Sequence, residues 1–196
     1  MAFSFVVEDG TIVTGANSYV AVQEASDYLI ANQFAYALWS ALASTDQQHL
    51  LAWATRYIDQ RATWNGVTSA SYLASPDTIN LVQGFVSYPS SVTIPHQPLR
   101  WPRANVYDVD GNPIAYNVIP PQLKQATCEM ARYLISSDRS LERPQDGLKE
   151  MKIDVMTLIF RENYILPIVP NEIAFILRGL GQIGSGTTGF GKVRRS

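Results

Sequence analysis

The sequence has little cysteine, few charges and no long apolar run, and each shortage excludes a class of protein. The single cysteine, Cys128, excludes an intramolecular disulfide and fits a reducing compartment. No stretch approaches the roughly 18 uninterrupted apolar residues of a membrane span, and the first ten residues lack the basic start and apolar run of a signal peptide. We therefore expect a soluble protein, made inside the cell, with no membrane partner.

Charge is scarce and balanced. The chain has 15 Lys and Arg residues and 17 Asp and Glu residues, which gives a formal net charge of -2. We therefore expect no long-range electrostatic attraction of nucleic acid to the protein as a whole. A hydrophobic share of 46% in 196 residues is enough to bury a core. We expect a helical core over residues 1–148, with a surface excursion at 67–96 where charge almost disappears, and an extension over residues 149–196.

The densest set of structural signals begins with two prolines, Pro98 and Pro102. They restrict the backbone around Arg100 and Trp101 and predict an extended segment that presents an indole and the guanidinium groups of Arg100 and Arg103. Planar cations beside an indole suit the bases and phosphates of nucleic acid. The alternative is that Trp101 packs in the core and the arginines bridge acidic groups. The lack of a wider basic stripe favours this alternative.

A hairpin and a helix follow these prolines. Asp110-Gly111 supplies the positive-φ pair of a tight turn between strands at 105–109 and 113–116. Pro120-Pro121 then opens a helix, since proline in the first turn loses only a donor without a helical partner. The apolar residues that follow at helical spacing are Leu123, Ala126, Thr127, Met130, Ala131 and Leu134.

The N-terminal part predicts an arm or hairpin at residues 3–14 and then three helices. Asn17-Ser18 caps a first helix that runs to about residue 32. A second, short helix carries the apolar residues Phe34, Leu38 and Leu42, and a third begins near Asp46. The third helix places an apolar set inside and a polar set outside, namely Leu50, Trp53, Ala54, Tyr57 and Ile58 against His49, Arg56, Asp59 and Gln60.

The C-terminal part predicts surfaces for partners. Residues 149–160 alternate as one strand that is apolar on both faces, so a neighbouring subunit should cover Ile153, Val155 and Ile159. A short helix follows at 171–178, and then a glycine-rich tail that is disordered alone. The tail residues expected to contact a partner are Ile183, Phe190, Lys192, Arg194 and Arg195.

Three patterns resemble reactive or metal sites, but each has a stronger structural explanation. Residues 186–192 match a phosphate-binding loop, yet Val193 replaces the hydroxyl that would hold magnesium, and no helix can follow. Residues 108–112 resemble the start of a calcium loop that lacks its distal ligands. Cys128 fits a small buried residue better than a nucleophile. We expect no catalytic residue, no cofactor and no metal, and therefore not an enzyme.

The patterns taken together predict a mainly α protein: a small helical bundle with a β-hairpin and a C-terminal extended strand or arm. Several motifs also carry a resemblance over roughly residues 16–134. They are Ala-Asn-Ser-Tyr-Val at 16–20, Ala-Thr-Arg-Tyr-Ile-Asp at 54–59, Trp-Asn-Gly at 64–66 and Gln-Pro-Leu-Arg-Trp-Pro-Arg at 97–103. This combination resembles the head-tail connector, or adaptor, proteins of tailed bacteriophages. The same pattern is also labelled DnaT-like single-stranded DNA-binding protein.

The connector resemblance implies a homo-oligomeric ring, a dodecamer, in the neck of the virion. The ring would lie under the phage portal protein, continue the channel for double-stranded genomic DNA and dock the tail or the next neck protein. The alternative, which the second label implies, is a replication protein that binds single-stranded DNA.

Overall fold

The protein is described here from a computed structural model, which describes residues 3–74, 96–138, 150–153, 156–159 and 169–184. These residues are mainly helical, with short antiparallel strand pairs. None of the helices in these ranges is both long and apolar enough to cross a membrane. The helices are α1 (Val22–Leu29), α2 (Gln33–Ser40), α3 (Ser44–Arg61), α4 (Ser69–Leu73), α5 (Pro121–Ser136) and α6 (Asn171–Ile176).

The core forms chiefly where α3 packs against α5. Helix α5 begins at Pro121, as the proline pair predicts, and its predicted apolar face is buried throughout. Cys128 and Glu129 are buried on the same helix. Glu129 accepts a hydrogen bond from Arg132 Nε at 2.6 Å, which compensates for its loss of solvent. The predictions for this helix are confirmed.

The described strands form four separate antiparallel pairs rather than one sheet. The pairs are β1 (Ala62–Trp64) with β8 (Gly181–Ile183), β2 (Val67–Thr68) with β3 (Arg103–Ala104), β4 (Val106–Tyr107) with β5 (Pro113–Ile114), and β6 (Glu150–Ile153) with β7 (Met156–Ile159).

The β4–β5 pair confirms the hairpin predicted around residue 111. Gly111 has a φ of +83°, whereas Asp110 keeps a negative φ, so the predicted positive-φ pair is wrong in its first member. The turn is closed by the Asp108 carboxylate, which accepts hydrogen bonds from the backbone N–H groups of Asp110 at 2.9 Å and Asn112 at 2.8 Å. The acidic pattern at 108–112 therefore serves a turn.

The predicted start of α1 is wrong. The helix begins at Val22, five residues after Asn17, and Tyr19 and Val20 are buried before it starts. The Ser18 hydroxyl accepts a hydrogen bond from the N–H of Val20 at 3.2 Å, within its own turn. Local side-chain bonding of this kind competes with helix capping, which explains the displacement.

The predicted apolar face of α2 is also wrong. Phe34 is 85% exposed and Leu38 is more than half exposed, while Ala35 and Trp39 enter the core. The indole N–H of Trp39 donates to the Ser26 hydroxyl at 2.9 Å, which ties α2 to α1. A large indole with a polar partner therefore sets the rotation of this helix.

Residues 150–153 and 156–159 form an antiparallel pair and not the single strand predicted from their alternation. Glu150 pairs with Ile159, and Ile153 with Met156. This pairing satisfies backbone groups within the chain, while cover of the apolar faces by another subunit stays a prediction. Val155 lies outside the described residues, and the contacts proposed for this segment remain predictions.

The C-terminal helix is confirmed as α6, but part of the tail is ordered against its own chain. Residues 181–183 form β8 on β1, with Ile183 opposite Ala62 and partly buried against the core. Ile183 is therefore not the free partner anchor that was predicted. Residues 185–196, including Phe190 and the basic tip, lie outside the described part of the chain. The division at residue 149 stays a prediction.

The start of the predicted surface excursion belongs to the fold. β2 pairs with β3, so that Thr68 stands opposite Arg103, and Ser69 at the start of α4 is buried. The glycine at this junction, Gly66, has a φ of +66°, and a Cβ there would lie 2.2 Å from the carbonyl oxygen of Ala104. Residues 75–95 lie outside the described ranges.

Candidate functional site

Helix α3 has one buried face and one face that carries an aromatic and polar stripe. The buried residues are Leu51, Ala54, Thr55, Tyr57 and Ile58. Opposite them, at spacings of four, three and four residues, lie His49, Trp53, Arg56 and Gln60, all exposed. Trp53 was predicted to be buried, but it is 41% exposed and Leu51 occupies the core instead.

The N-terminal segment brings Phe3 beside this stripe. Its ring makes an edge contact with the imidazole of His49, with ring centroids 4.4 Å apart. Asn17 holds the segment in place: its side chain accepts from Val6 N at 3.1 Å and donates to Ser4 O at 2.6 Å. The residue predicted to cap α1 thus positions an arm.

A loop over residues 96–100 forms the other wall. The Gln97 amide fixes it, because Nε2 donates to the carbonyls of Leu99 at 3.0 Å and Pro102 at 2.9 Å. Gln97 Oε1 accepts from Ala70 N at 3.1 Å. The fixed loop leaves His96 and Arg100 exposed at its two ends.

Between these walls lies an open cleft of about 1060 Å³, which we call the α3 cleft. It brings together aromatic rings and cations from three separate parts of the chain, which are the N-terminal arm, α3 and the loop at 96–100. Asp59 is the one acidic side chain among the described residues that line it. The rings and cations are Phe3, His49, Trp53, Arg56, His96 and Arg100.

The Asp59 carboxylate is held in a hydrogen-bond network at the cleft wall. Its oxygens accept from Tyr19 Oη at 2.7 and 2.8 Å, and Oδ2 also accepts from Arg100 N at 3.1 Å. Burial raises the pKa of Asp59 to about 6, although the N–H of Arg100 and the Tyr19 hydroxyl favour the charged form. At neutral pH the carboxylate is therefore mostly ionised and fixes the backbone that carries Arg100.

Trp101 and Arg103 are not presented to solvent, so the extended, displayed segment predicted from the two prolines is wrong. The Trp101–Pro102 peptide is cis, and Trp101 is 0% exposed with an edge contact to Trp64 at 5.8 Å. The alternative interpretation of Trp101 as a packing residue is confirmed.

Arg103 bonds to backbone carbonyls rather than to the acidic groups expected of it. Its guanidinium donates to the oxygens of Asn65 and Gly66, at 2.7 Å each, and of Arg100 at 3.2 Å. All three bonds are internal and use three of its five N–H donors. Of the three predicted nucleic-acid contacts, Arg100 alone remains exposed in the α3 cleft.

The remaining sequence patterns do not add to this cleft. Burial, and then the charges of Glu129 and Glu24, raise the pKa of Cys128 to about 12, which keeps the thiol protonated at neutral pH. No cluster of potential metal ligands occurs among the residues for which positions are described. Residues 186–196 and the side chains of 150–159 fall outside the description.

Sequence reasoning missed the cleft because its parts are far apart in the chain. One signal was present, since His49, Trp53, Arg56 and Gln60 recur at helical spacing on one face of α3. The rings of this face have sequence-tolerant π surfaces for bases, and the arginines carry charges for phosphates. The rings of the cleft can therefore stack on planar groups, and its arginines can pair with anionic groups.

A family model described as "Putative DnaT-like ssDNA binding protein" matches residues 3–196. No curated protein and no solved structure matches the chain. The family match spans almost the full sequence, including the arm, α3 and the loop that together build the α3 cleft, and the chain belongs to this DnaT-like family.

Proposed function

We propose that this protein binds single-stranded DNA and that the α3 cleft is its binding site. The observation that carries the proposal is the juxtaposition of exposed rings at Phe3 and Trp53 with exposed guanidinium groups at Arg56 and Arg100. The family description supports it from an independent direction.

The mechanism combines two kinds of contact. Bases unstacked from one another lie on Trp53 and Phe3, since base–aromatic stacking is worth about 1 to 3 kcal/mol per base and tolerates any sequence. Phosphates meet Arg56 and Arg100, with release of counterions. Duplex DNA keeps its bases stacked inside, so the rings of the cleft favour single strands.

The Tyr19–Asp59 pair limits how strongly the cleft holds DNA. Asp59 positions Arg100 through the backbone N–H, but its negative charge opposes a phosphate that enters the same cleft. The near-neutral chain also supplies little long-range attraction. We expect binding that is moderate and strongly weakened by salt.

Fluorescence anisotropy of a labelled 20-nucleotide single strand tests this function, with the duplex of the same sequence as a comparison. Trp53→Ala should weaken single-strand binding by about 5- to 150-fold, the equivalent of one lost stacking contact. Phe34→Ala removes a more exposed ring outside the cleft and serves as the matched control. Equal affinity for duplex and single strand, or no effect of Trp53→Ala, would refute the proposal.

The phage neck adaptor is a second candidate function, favoured by one surface. Ile30, Phe34 and Leu38 are each more than half exposed along α2 and the end of α1. Exposed apolar groups of this kind mark protein–protein contacts, and a head-to-tail ring contact would cover them. In this proposal the hairpin at 150–159 and the basic tip at Lys192, Arg194 and Arg195, with Phe190, reach the portal or a neck protein.

The adaptor function predicts that the protein is present in purified virions and remains on tailless heads. Phe34→Asp should then prevent ring assembly while the helical core stays folded, as judged by circular dichroism and electron microscopy. A protein absent from virions would eliminate this candidate and leave the DNA-binding proposal intact.

A further inference from the structure

A second opening lies between α6, β8 and the turn after β1, and we call it the α6 pocket. Its volume is about 540 Å³. Phe175 is 68% exposed at its edge, and Arg178, three residues later, is also exposed. The ring offers an exposed apolar face to a planar ligand, and the guanidinium in the same pocket offers a positive charge to an anion.

The other residues that line the α6 pocket are uncharged, and besides Ala174, Ile183 and two glycines they include three amides. Asn65, Asn171 and Gln182 contribute primary amides, each able to donate and accept hydrogen bonds. No acidic side chain occurs among the described residues that line it. An amide that pairs with a base edge, beside an aromatic face and a cation, is a chemistry suited to a nucleotide.

The pocket stands on a fixed backbone. Trp64 of β1 pairs with Gly181 of β8, and the N–H of Asn65 donates to Leu180 O at 3.0 Å. The Asn65 side chain donates to Gly179 O at 2.8 Å. Gly179 has a φ of +88°, and a Cβ there would lie 2.9 Å from the backbone nitrogen of Val109, so the turn is closely packed.

One guanidinium joins the pocket to the α3 cleft. Arg103 Nε donates to the carbonyl of Asn65, which lines the α6 pocket, and Nη1 donates to the carbonyl of Arg100, which lines the cleft. The backbones of the two walls therefore lie within the reach of a single buried side chain. We expect a strand of sufficient length to extend from one opening to the other.

We propose that the α6 pocket is a second nucleotide subsite, in which a base of the same single strand stacks on Phe175 while its phosphate meets Arg178. This inference rests on the proposed function of the α3 cleft and extends it to a two-point grip. The second contact becomes intramolecular once the first has formed, so it should strengthen binding of strands long enough to reach both.

The test is an anisotropy series with oligothymidylates of 4 to 20 nucleotides. For the 20-mer, Phe175→Ala and Arg178→Gln should each weaken binding at least fivefold relative to the Phe34→Ala control. For the shortest strand that binds measurably, their affinity should equal that of the control. Trp53→Ala should weaken binding at every length, because the cleft is the first contact.

The outcomes separate the two proposals. If Trp53→Ala weakens binding but both pocket variants stay within twofold of the control at every length, the subsite is refuted and the cleft stands. A loss of equal size at all lengths would also refute a second subsite, since it would make Phe175 part of the minimal site. If the wild-type protein binds none of the strands, both proposals fail together.

Discussion

The hydroxyl of Tyr19 donates to the carboxylate of Asp59 at 2.7 and 2.8 Å, and it also accepts the backbone N–H of Trp101 at 3.2 Å. Forty residues separate Tyr19 from Asp59, and 82 separate Tyr19 from Trp101. This one hydroxyl connects the start of the helical region, the end of α3 and the loop that carries Arg100. It therefore links core stability to the geometry of the α3 cleft.

Tyr19→Phe should destabilise the fold by about 1 to 3 kcal/mol, because it leaves the buried Trp101 N–H without its acceptor and removes a donor from Asp59. The measurement is urea unfolding at neutral pH. Tyr107→Phe is the control, since Tyr107 is more than half exposed and should change stability by less than about 0.5 kcal/mol. Equal stabilities of the two variants would show that the Tyr19 network contributes nothing.

Asp59 should make stability fall as pH rises from about 4 to about 6. The folded-state pKa, about 6, is above the ordinary aspartate value of 3.8, so within this window the folded state binds more protons than the unfolded state. Within this window, the contribution of Asp59 to the free energy of unfolding falls by up to about 1.4 kcal/mol per pH unit. Above the folded-state pKa, this contribution no longer changes with pH.

The Asp59→Asn variant isolates this effect from other carboxylates. The pKa values of Asp9, Asp108 and Glu24 are lowered, and their contributions run the other way with pH. Subtracting the unfolding free energies of Asp59→Asn from those of the wild type should leave a difference that declines from pH 4 to pH 6. A difference independent of pH would contradict the raised pKa.

Truncation of Trp101 should mainly reduce stability, whereas truncation of Trp53 should mainly reduce DNA binding. Trp101→Ala removes a fully buried ring and should cost about 3 to 5 kcal/mol of stability, so any loss of DNA binding would reflect unfolding. Trp53→Ala should cost clearly less stability than Trp101→Ala, because its ring is 41% exposed, while it weakens binding. Thermal denaturation measured beside anisotropy distinguishes them, and a folded Trp101→Ala protein that binds no DNA would reverse their roles.

The salt dependence of DNA binding should show whether Arg56 and Arg100 contact phosphates. Each phosphate contact to a single strand contributes a slope of about -0.7 in a plot of log affinity against log salt concentration. Arg56→Gln should therefore flatten the slope by about 0.7, as should Arg100→Gln. Substitution of Lys124 should leave it unchanged, because Lys124 lies outside the cleft and pairs with Glu24 at 2.6 Å. A slope unaltered in both arginine variants would exclude them as phosphate contacts.

Local signals carried the parts of the fold that could be predicted. The start of α5 was predicted from Pro120-Pro121, and its buried face from the helical spacing of apolar residues. The hairpin was predicted from Gly111. Such signals work locally, because proline fixes φ and glycine accepts a positive φ without help from distant contacts. Helix rotation was less certain. Leu50, Leu51 and Trp53 are all apolar, and only packing against α5 selects Leu51 for the core.

The cleft depended on contacts that local patterns do not encode. Glycines lie in and beside β8, at Gly179, Gly181 and Gly184, and predicted a free tail, but the strand pairs with β1 more than a hundred residues away. Arg103 was expected to find carboxylates, but its partners are carbonyls of a turn that no sequence pattern specifies. Phe3 reaches His49 only because Asn17 holds the arm.

Ultraviolet cross-linking of the protein to a single-stranded oligonucleotide, followed by mass spectrometry of the linked peptides, tests the central claim most directly. A strand in the α3 cleft should cross-link to the peptides that contain Phe3, His49 or Trp53, and competition with unlabelled single strand should remove the adducts. Cross-links confined to other surfaces, such as the α2 face with Phe34, would contradict the account.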